Sequence, residues 1–233
     1  MAEKYNKLEK LGRAIIFTIF RPVIWFCNYF NISPNVLTTF GLLINVAATV
    51  VFIIGAEYGA RDDLYYFGWG GFTILLGGVF DMLDGYIARS SGRSSKFGAL
   101  YDSVLDRYSE LFMFFGIAYF LVSHDYFFTS VATFLALIGS VMVSYIRARA
   151  EGLKINCSVG FMQRPLRIIV IGFSAVIAGI ISVHLSNTFK LPIINIEVEA
   201  IMIFTISIII VTIFANFTAI QRLQHSYKEL GKN

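Results

Sequence analysis

The chain has 233 residues, 57% of them hydrophobic and only 15% charged, with a formal net charge of +4. That balance excludes an ordinary soluble domain, which is less apolar and more charged. Its basic residues sit beside apolar segments, which argues for a membrane surface and against nucleic acid. Two cysteines, Cys27 and Cys157, are too few for a disulfide framework and read as small apolar fillers.

In chain order, residues 1–31 come first. Lys4, Lys7, Lys10 and Arg13 lead into the apolar stretch 14–20, and Arg21-Pro22 interrupts it before 23–31. One span over 14–31 would hold Arg21 near the bilayer centre at about 2.5–3.5 kcal/mol. An interfacial amphipathic helix avoids that cost and is the expectation. No long apolar run with a small-residue cleavage site follows, so no signal peptide is expected. Six apolar segments are then long enough to span a bilayer, at about 20 residues each. They cover 35–58, 64–89, 98–122, 127–150, 164–186 and 197–221. The expected fold class is an all-α integral membrane protein: six transmembrane helices preceded by the interfacial helix. The whole chain reads as one domain, with a bundle over 32–222 and a tail over 223–233.

Orientation follows from the basic residues. With an even number of spans, the N-terminal arm, the 90–97 loop, the 147–167 region and the tail share one side. Of the 19 Lys and Arg, only Arg61 and Lys190 fall opposite. The termini are therefore expected to be cytoplasmic, in the plasma (inner) membrane.

The chemistry concentrates in 81–106, DMLDGYIARSSGRSSKFGALYDSVLD. Asp81 and Asp84 end the second span, and Asp102 and Asp106 begin the third. Spacings of i,i+3 and i,i+4 put each pair on one helix face. The short connection SSGRSSKF lets the two helix ends lie side by side. Four carboxylates in an apolar chain call for counter-charge, and hard oxygen ligands suit two Mg²⁺ or Mn²⁺ ions. Gly85 permits close backbone approach.

This stretch resembles the signature of the CDP-alcohol phosphotransferase family, D-x2-D-G-x2-A-R-x8-G-x3-D-x3-D, at every fixed position from Asp81 through Gly85, Ala88, Arg89 and Gly98 to Asp106. The resemblance implies transfer of a phosphatidyl group from CDP-diacylglycerol to an acceptor hydroxyl, with CMP leaving. It implies that Asp81, Asp84, Asp102 and Asp106 hold the metals and that Asp106 is the base. Arg107 and Glu110 read either as partners of that site or as a helix-surface ion pair. For the donor, the resemblance implies Asn35 and Thr38 in SPNVLTTFG, with Asp81, Asp84, Gly85, Arg89, Ser95 and Gly98. Ser33 and Pro34 also read as an ordinary helix start.

A phosphorylated acceptor needs basic residues to hold its dianion. SYIRARAEG and QRPLR supply Arg147, Arg149, Arg164 and Arg167 at facing helix ends, and Arg222 ends the last span on the same side. Arg147 and Arg149, two apart, point to roughly opposite sides of a helix, so one of them is expected in the pocket. The arrangement resembles the bacterial phosphatidylinositol phosphate synthases, whose phosphate pocket carries over onto Ser144, Arg147, Arg149, Arg167 and Arg222. Arg147 departs from the lysine of that group, and Gln163 and Leu166 depart from its acidic residues. Inositol phosphate is thus the expected acceptor and glycerol 3-phosphate its rival. Many members of the family pair as homodimers, so the resemblance implies a homodimer here. A small transporter is the competing class, because intramembrane carboxylates also mark ion paths. Positive-inside anchoring is the plain alternative for the arginines. His124, His184 and His225 have no metal-ligand spacing.

Overall fold

The computed structural model describes residues 18, 20–90, 92–185, 188–190 and 197–231. Lys4, Lys7, Lys10 and Arg13 lie outside the described residues. Seven helices are described: α1 Arg21–Tyr29, α2 Pro34–Tyr58, α3 Tyr65–Ser90, α4 Lys96–Ser123, α5 Phe127–Gly152, α6 Arg164–Leu185 and α7 Ile201–Leu230.

The six long helices close into a ring. Following contacts, the order is α2, α4, α5, α7, α6, α3 and back to α2. The centre of the ring is filled by aromatic rings from four helices. Phe67 stacks edge-on against Phe52 and Phe204, at 5.3 and 4.9 Å between centroids, and tilts onto Phe120 at 4.8 Å. All four are fully buried, with Ile171, Ala175 and Ala178 of α6 closing the same core. This plug occupies the half of the ring where α3 starts and α4 ends. Threonines cross-link the helices to carbonyls that lack water to bond: Thr49 donates to Phe112 O at 2.7 Å and Thr212 to Ala132 O at 2.8 Å.

Five helices, α2, α3, α5, α6 and α7, are long and apolar enough to cross a membrane. The expected sixth, α4, is 28 residues long, but Asp106, Arg107 and Glu110 shorten its apolar run to 111–123. Outward-facing Phe40, Phe72, Phe115, Phe134 and Phe173 are exposed on the ring's rim, as in a bundle whose outer solvent is lipid.

The all-α expectation needs one correction. Residues 197–199, expected inside the last span, form a strand, β2 (Glu197–Glu199), pairing antiparallel with β1 (Thr188–Lys190). The Glu-Val-Glu alternation has period two, which suits a strand and not a helix. The last helix starts at Ile201 instead and runs to Leu230, nine residues past the expected end at 221. QRLQHSYKEL contains no Gly or Pro, so nothing stops the helix before Gly231.

In α1, Cys27, Val23 and Ile24 pack against Leu37, Leu83 and Ile87. The opposite side exposes Trp25, Phe26, Tyr29 and Phe30. Cys27 and Cys157 are both buried and unpaired.

Candidate active site

The last turns of α3 and the first turns of α4 run side by side across the short connection. Ser95 caps α4, accepting from Gly98 N at 2.9 Å. Arg93 ties the connection to the turn before α2, donating to Asn31 Oδ1 at 2.5 Å and Ile32 O at 3.2 Å. Gly98 lies where the elements converge: a Cβ there would sit 3.0 Å from Ser95 Oγ and 3.2 Å from Asn35 Oδ1.

Arg164, the first residue of α6, reaches into the acid cluster. Its Nη2 donates to Asp81 Oδ2 at 2.7 Å, and its Nη1 lies 2.7 Å from Asp106 Oδ1. One guanidinium thus joins an acid of α3 to an acid of α4, with all three side chains 10–18% exposed. The Asp106 contact lies outside hydrogen-bond geometry, so that oxygen keeps an unused lone pair. Behind Asp81, α2 presents Gly41. A Cβ at Gly41 would lie 2.5 Å from Asp81 Oδ1.

Two hollows flank the cluster and share Ala99 and Asp102. The smaller, about 180 Å³, is lined by Asn35, Thr38, Asp84, Gly85, Arg89, Ser95 and Gly98, with Arg93 and Ser94 at its loop side. The larger, about 440 Å³, is lined by Asp106, Ser144, Arg147, Arg164, Arg167 and Arg222, with Arg107, Glu110 and Glu151 among the rest. Every expected donor residue except Asp81 therefore lines the small hollow. Every expected acceptor residue except Arg149 lines the large one. Arg149 is exposed on α5 and lines neither. Asp81 lies behind the cluster, between Gly41 and Arg164.

The arginines of the large hollow are held differently. Arg167 and Glu110 form an ion pair at 2.5 Å, with side chains 1% and 3% exposed. Arg167 also donates to Met162 O at 2.9 Å, while its Nε has no hydrogen-bond partner among the described residues. Arg222 donates to Val159 O at 2.9 Å and Val143 O at 2.7 Å, fixing the loop 153–163 between α5 and α7. Arg147 pairs with Glu151 at 2.8 Å on a half-exposed helix face. Of the two readings of Glu110, the surface pair with Arg107 is not what forms: Arg107 Nη1 bonds the Ser103 hydroxyl at 2.6 Å.

As arranged, no three Asp, Glu, His or Cys side chains among the described residues stand close enough to share one ion. Arg164 occupies the space between Asp81 and Asp106. The donor set nonetheless suits a hard divalent cation. Two of the four motif carboxylates share one guanidinium, and Asp84 Oδ2 is buried without a hydrogen-bond partner among the described residues. A buried carboxylate oxygen left so is costly unless a cation meets it.

The family model for CDP-alcohol phosphatidyltransferase matches residues 31–216. The chain belongs to this family. Its relatives include the phosphatidylinositol phosphate synthase of Mycobacteroides abscessus, 33% identical over 63% of this chain and 63% of that protein. The chain thus spans just under two thirds of that relative. The archaetidylinositol phosphate synthase of Pyrococcus horikoshii is 40% identical over 60% of this chain and 68% of that one. Among solved structures, the Mycobacterium tuberculosis phosphatidylinositol phosphate synthase with CDP-DAG bound superposes with a TM-score of 0.69 at 25% identity, covering 90% of this chain and 94% of that one. The same synthase has been solved in complex with manganese and citrate, again at a TM-score of 0.69. The chain is a multi-pass membrane member of this transferase family.

Two residues of the site, Gly41 and Arg93, carry no distinct signal in the sequence. Gly41 closes the donor-side segment SPNVLTTFG, but a glycine there reads as one more helix position and not as a seat for Asp81. Arg93 sits in the motif's variable loop, where a lone arginine reads as positive-inside charge. Glu110 carries two even alternatives in the sequence, and its spacing does not separate them: i+4 from Asp106 suits a site partner and i+3 from Arg107 suits a surface pair.

Proposed function

We propose that the chain transfers the phosphatidyl group of CDP-diacylglycerol to a hydroxyl of inositol phosphate, giving phosphatidylinositol phosphate and CMP. The observation that carries this reading is the meeting of the two hollows at Ala99 and Asp102. One holds the motif residues of a nucleotide-linked donor, the other a set of arginines suited to an anionic acceptor. The two kinds of relative agree on an inositol phosphate headgroup and differ in the lipid.

In this reading Asn35, Thr38, Ser95 and Gly98 hold the cytidine side of the donor, and Arg89 its diphosphate. Arg147, Arg164, Arg167 and Arg222, with Ser144, bind the acceptor phosphate; Arg149, facing away, does not. Asp106 lines the acceptor hollow and takes the proton of the acceptor hydroxyl. That oxygen forms a bond to the phosphatidyl phosphorus as the bond to the CMP oxygen breaks. Two Mg²⁺ or Mn²⁺ ions held by Asp81, Asp84, Asp102 and Asp106 would offset the charge that builds on the diphosphate. The protein alone orients both substrates and keeps the base beside the acceptor.

We further infer that α4 spans the bilayer as the sixth helix, since 28 residues rise about 42 Å at about 1.5 Å each. That exceeds the roughly 30 Å hydrocarbon core, so the acids reach the polar interface. The exposed aromatic side of α1 suits an interfacial helix. Both termini lie in the cytoplasm, in the inner membrane, and two copies pair. The transporter reading is disfavoured, because the Phe52, Phe67, Phe120 and Phe204 plug closes the ring beyond the acids.

The test is purified protein with labelled CDP-diacylglycerol and either cation, offered inositol phosphate, glycerol 3-phosphate and free inositol. CMP release with inositol phosphate above the other two is the expected result. Preference for glycerol 3-phosphate replaces the acceptor, and efficient use of free inositol removes the phosphate pocket. The relative named an archaetidylinositol phosphate synthase is 40% identical, so a CDP-linked archaetidyl donor belongs in the same panel.

A further inference from the structure

We infer that Arg164 is a resident counter-ion: it holds Asp81 and Asp106 together while the cluster is free of metal, and it leaves for the acceptor hollow when a cation enters. The inference rests on the divalent-cation reading of the four aspartates.

The geometry is the first support. Arg164 Nη2 and Nη1 each stand 2.7 Å from an oxygen of a different motif half, Asp81 on α3 and Asp106 on α4. A cation seated between Asp81 and Asp106 needs the space the guanidinium now fills. At about 2.0–2.1 Å from carboxylate oxygens it stands within a few ångströms of that positive charge, which repels it. A guanidinium cannot resolve the conflict by losing a proton, because it stays charged at every relevant pH. It must move.

The second support is that it has somewhere to go. Arg164 begins α6, so its side chain is anchored at a helix end beside the loop that carries Gln163 and Met162. It already lines the 440 Å³ hollow along with Arg147, Arg167 and Arg222. Its Nε has no hydrogen-bond partner among the described residues, so its seat between the acids leaves one donor unused. Two of the three other arginines there are already paired, Arg167 with Glu110 and Arg147 with Glu151, so an arriving guanidinium adds a positive charge that the hollow does not balance unless an anion is present. The acceptor phosphate supplies that anion. Cation entry and phosphate binding therefore assist one another through one side chain, and by linkage the assistance is reciprocal. The arrangement also disfavours a metal-loaded site without an acceptor, the state in which water could attack the donor.

The experiment measures binding, not turnover. Mn²⁺ affinity of the full chain in detergent, without donor, is read from the paramagnetic resonance signal of the free ion, with and without inositol phosphate. Arg164→Gln is expected to bind Mn²⁺ about ten-fold more tightly or better than wild type, since a competing charge a few ångströms away is gone. Inositol phosphate is expected to tighten Mn²⁺ binding in wild type and to lose most of that effect in Arg164→Gln. Equal or weaker Mn²⁺ affinity in Arg164→Gln, with wild type binding normally, overturns the inference and leaves the metal site standing. Absence of Mn²⁺ binding in both proteins overturns the metal site and this inference together. Should Arg164→Gln fail to stay monodisperse, Arg164→Lys decides the question, because an ammonium grips one carboxylate more readily than two. Tighter Mn²⁺ binding is expected there by a smaller factor, and an unchanged affinity overturns the inference.

Discussion

Gly41→Ala places one methyl group against the acid cluster from a helix that carries none of its charges. The added Cβ would lie 2.5 Å from Asp81 Oδ1, and ordinary contact begins near 3.4 Å, so the oxygen must retreat by about 0.9 Å. The clashing atom is the end of a side chain, not backbone, and the next neighbours are 3.7 Å or more away. The bundle can therefore accept the methyl by turning Asp81. Ala is also favoured over Gly in a helix interior by about 0.8–1 kcal/mol, so stability is expected to hold or rise. The cost falls on the site: a displacement of about 1 Å in a positioning group can lower turnover roughly 100-fold. The assay pairs steady-state transfer, with Mn²⁺ titrated, against thermal unfolding in detergent. Lower kcat and a higher half-saturating Mn²⁺, at unchanged or raised Tm, are the expected results. Wild-type turnover with unchanged Mn²⁺ dependence would show that Asp81 does not need the seat Gly41 gives it.

Asp106→Asn keeps the shape but cannot accept the hydroxyl proton; transfer should fall by about 10²–10⁴-fold while donor binding survives, and near wild-type turnover would remove Asp106 as the base. Glu110→Gln leaves the Arg167 guanidinium buried without its carboxylate, at about 3–5 kcal/mol of stability; chemical unfolding that matches wild type would contradict the buried pair. The double variant Glu110→Leu with Arg167→Leu should recover most of that stability while acceptor binding is lost. Arg147→Ala removes a half-exposed pair, so Tm should barely move, whereas the acceptor KM should rise about ten-fold or more for one lost charge-assisted hydrogen bond. An unchanged KM would leave Arg147 as a surface residue.

Much of this chain is legible in one dimension because a bilayer is a simple solvent. Length and apolarity alone mark α2, α3, α5, α6 and α7, since lipid demands a continuous run of about 20 apolar residues. Where that rule meets function it weakens: α4 carries Asp102, Asp106 and Glu110 within its own helix, so its apolar run is short. The small strand at 197–199 was legible too, in the period of Glu-Val-Glu, but a search for spans overrides it.

The pairing of Asp81 with Asp84, and of Asp102 with Asp106, needed no structure. Helical spacing fixes which residues share a face, and the short link between α3 and α4 brings the two faces to one end. The same geometry said that Arg147 and Arg149 diverge. Spacing along one helix says nothing, however, about how that helix is rotated against its neighbours. The closed order α2, α4, α5, α7, α6, α3 decided that Arg147 faces the hollow and Arg149 does not. It also set α6 beside α3, which is why Arg164 reaches Asp81 across 83 residues of chain. Glu110 meets Arg167 across the ring, from α4 to α6, which no spacing along α4 foretells. Sequence determined which groups must be present and which share a helix face. Packing of the ring decided which charges meet, because distances between helices depend on side chains far from the motif.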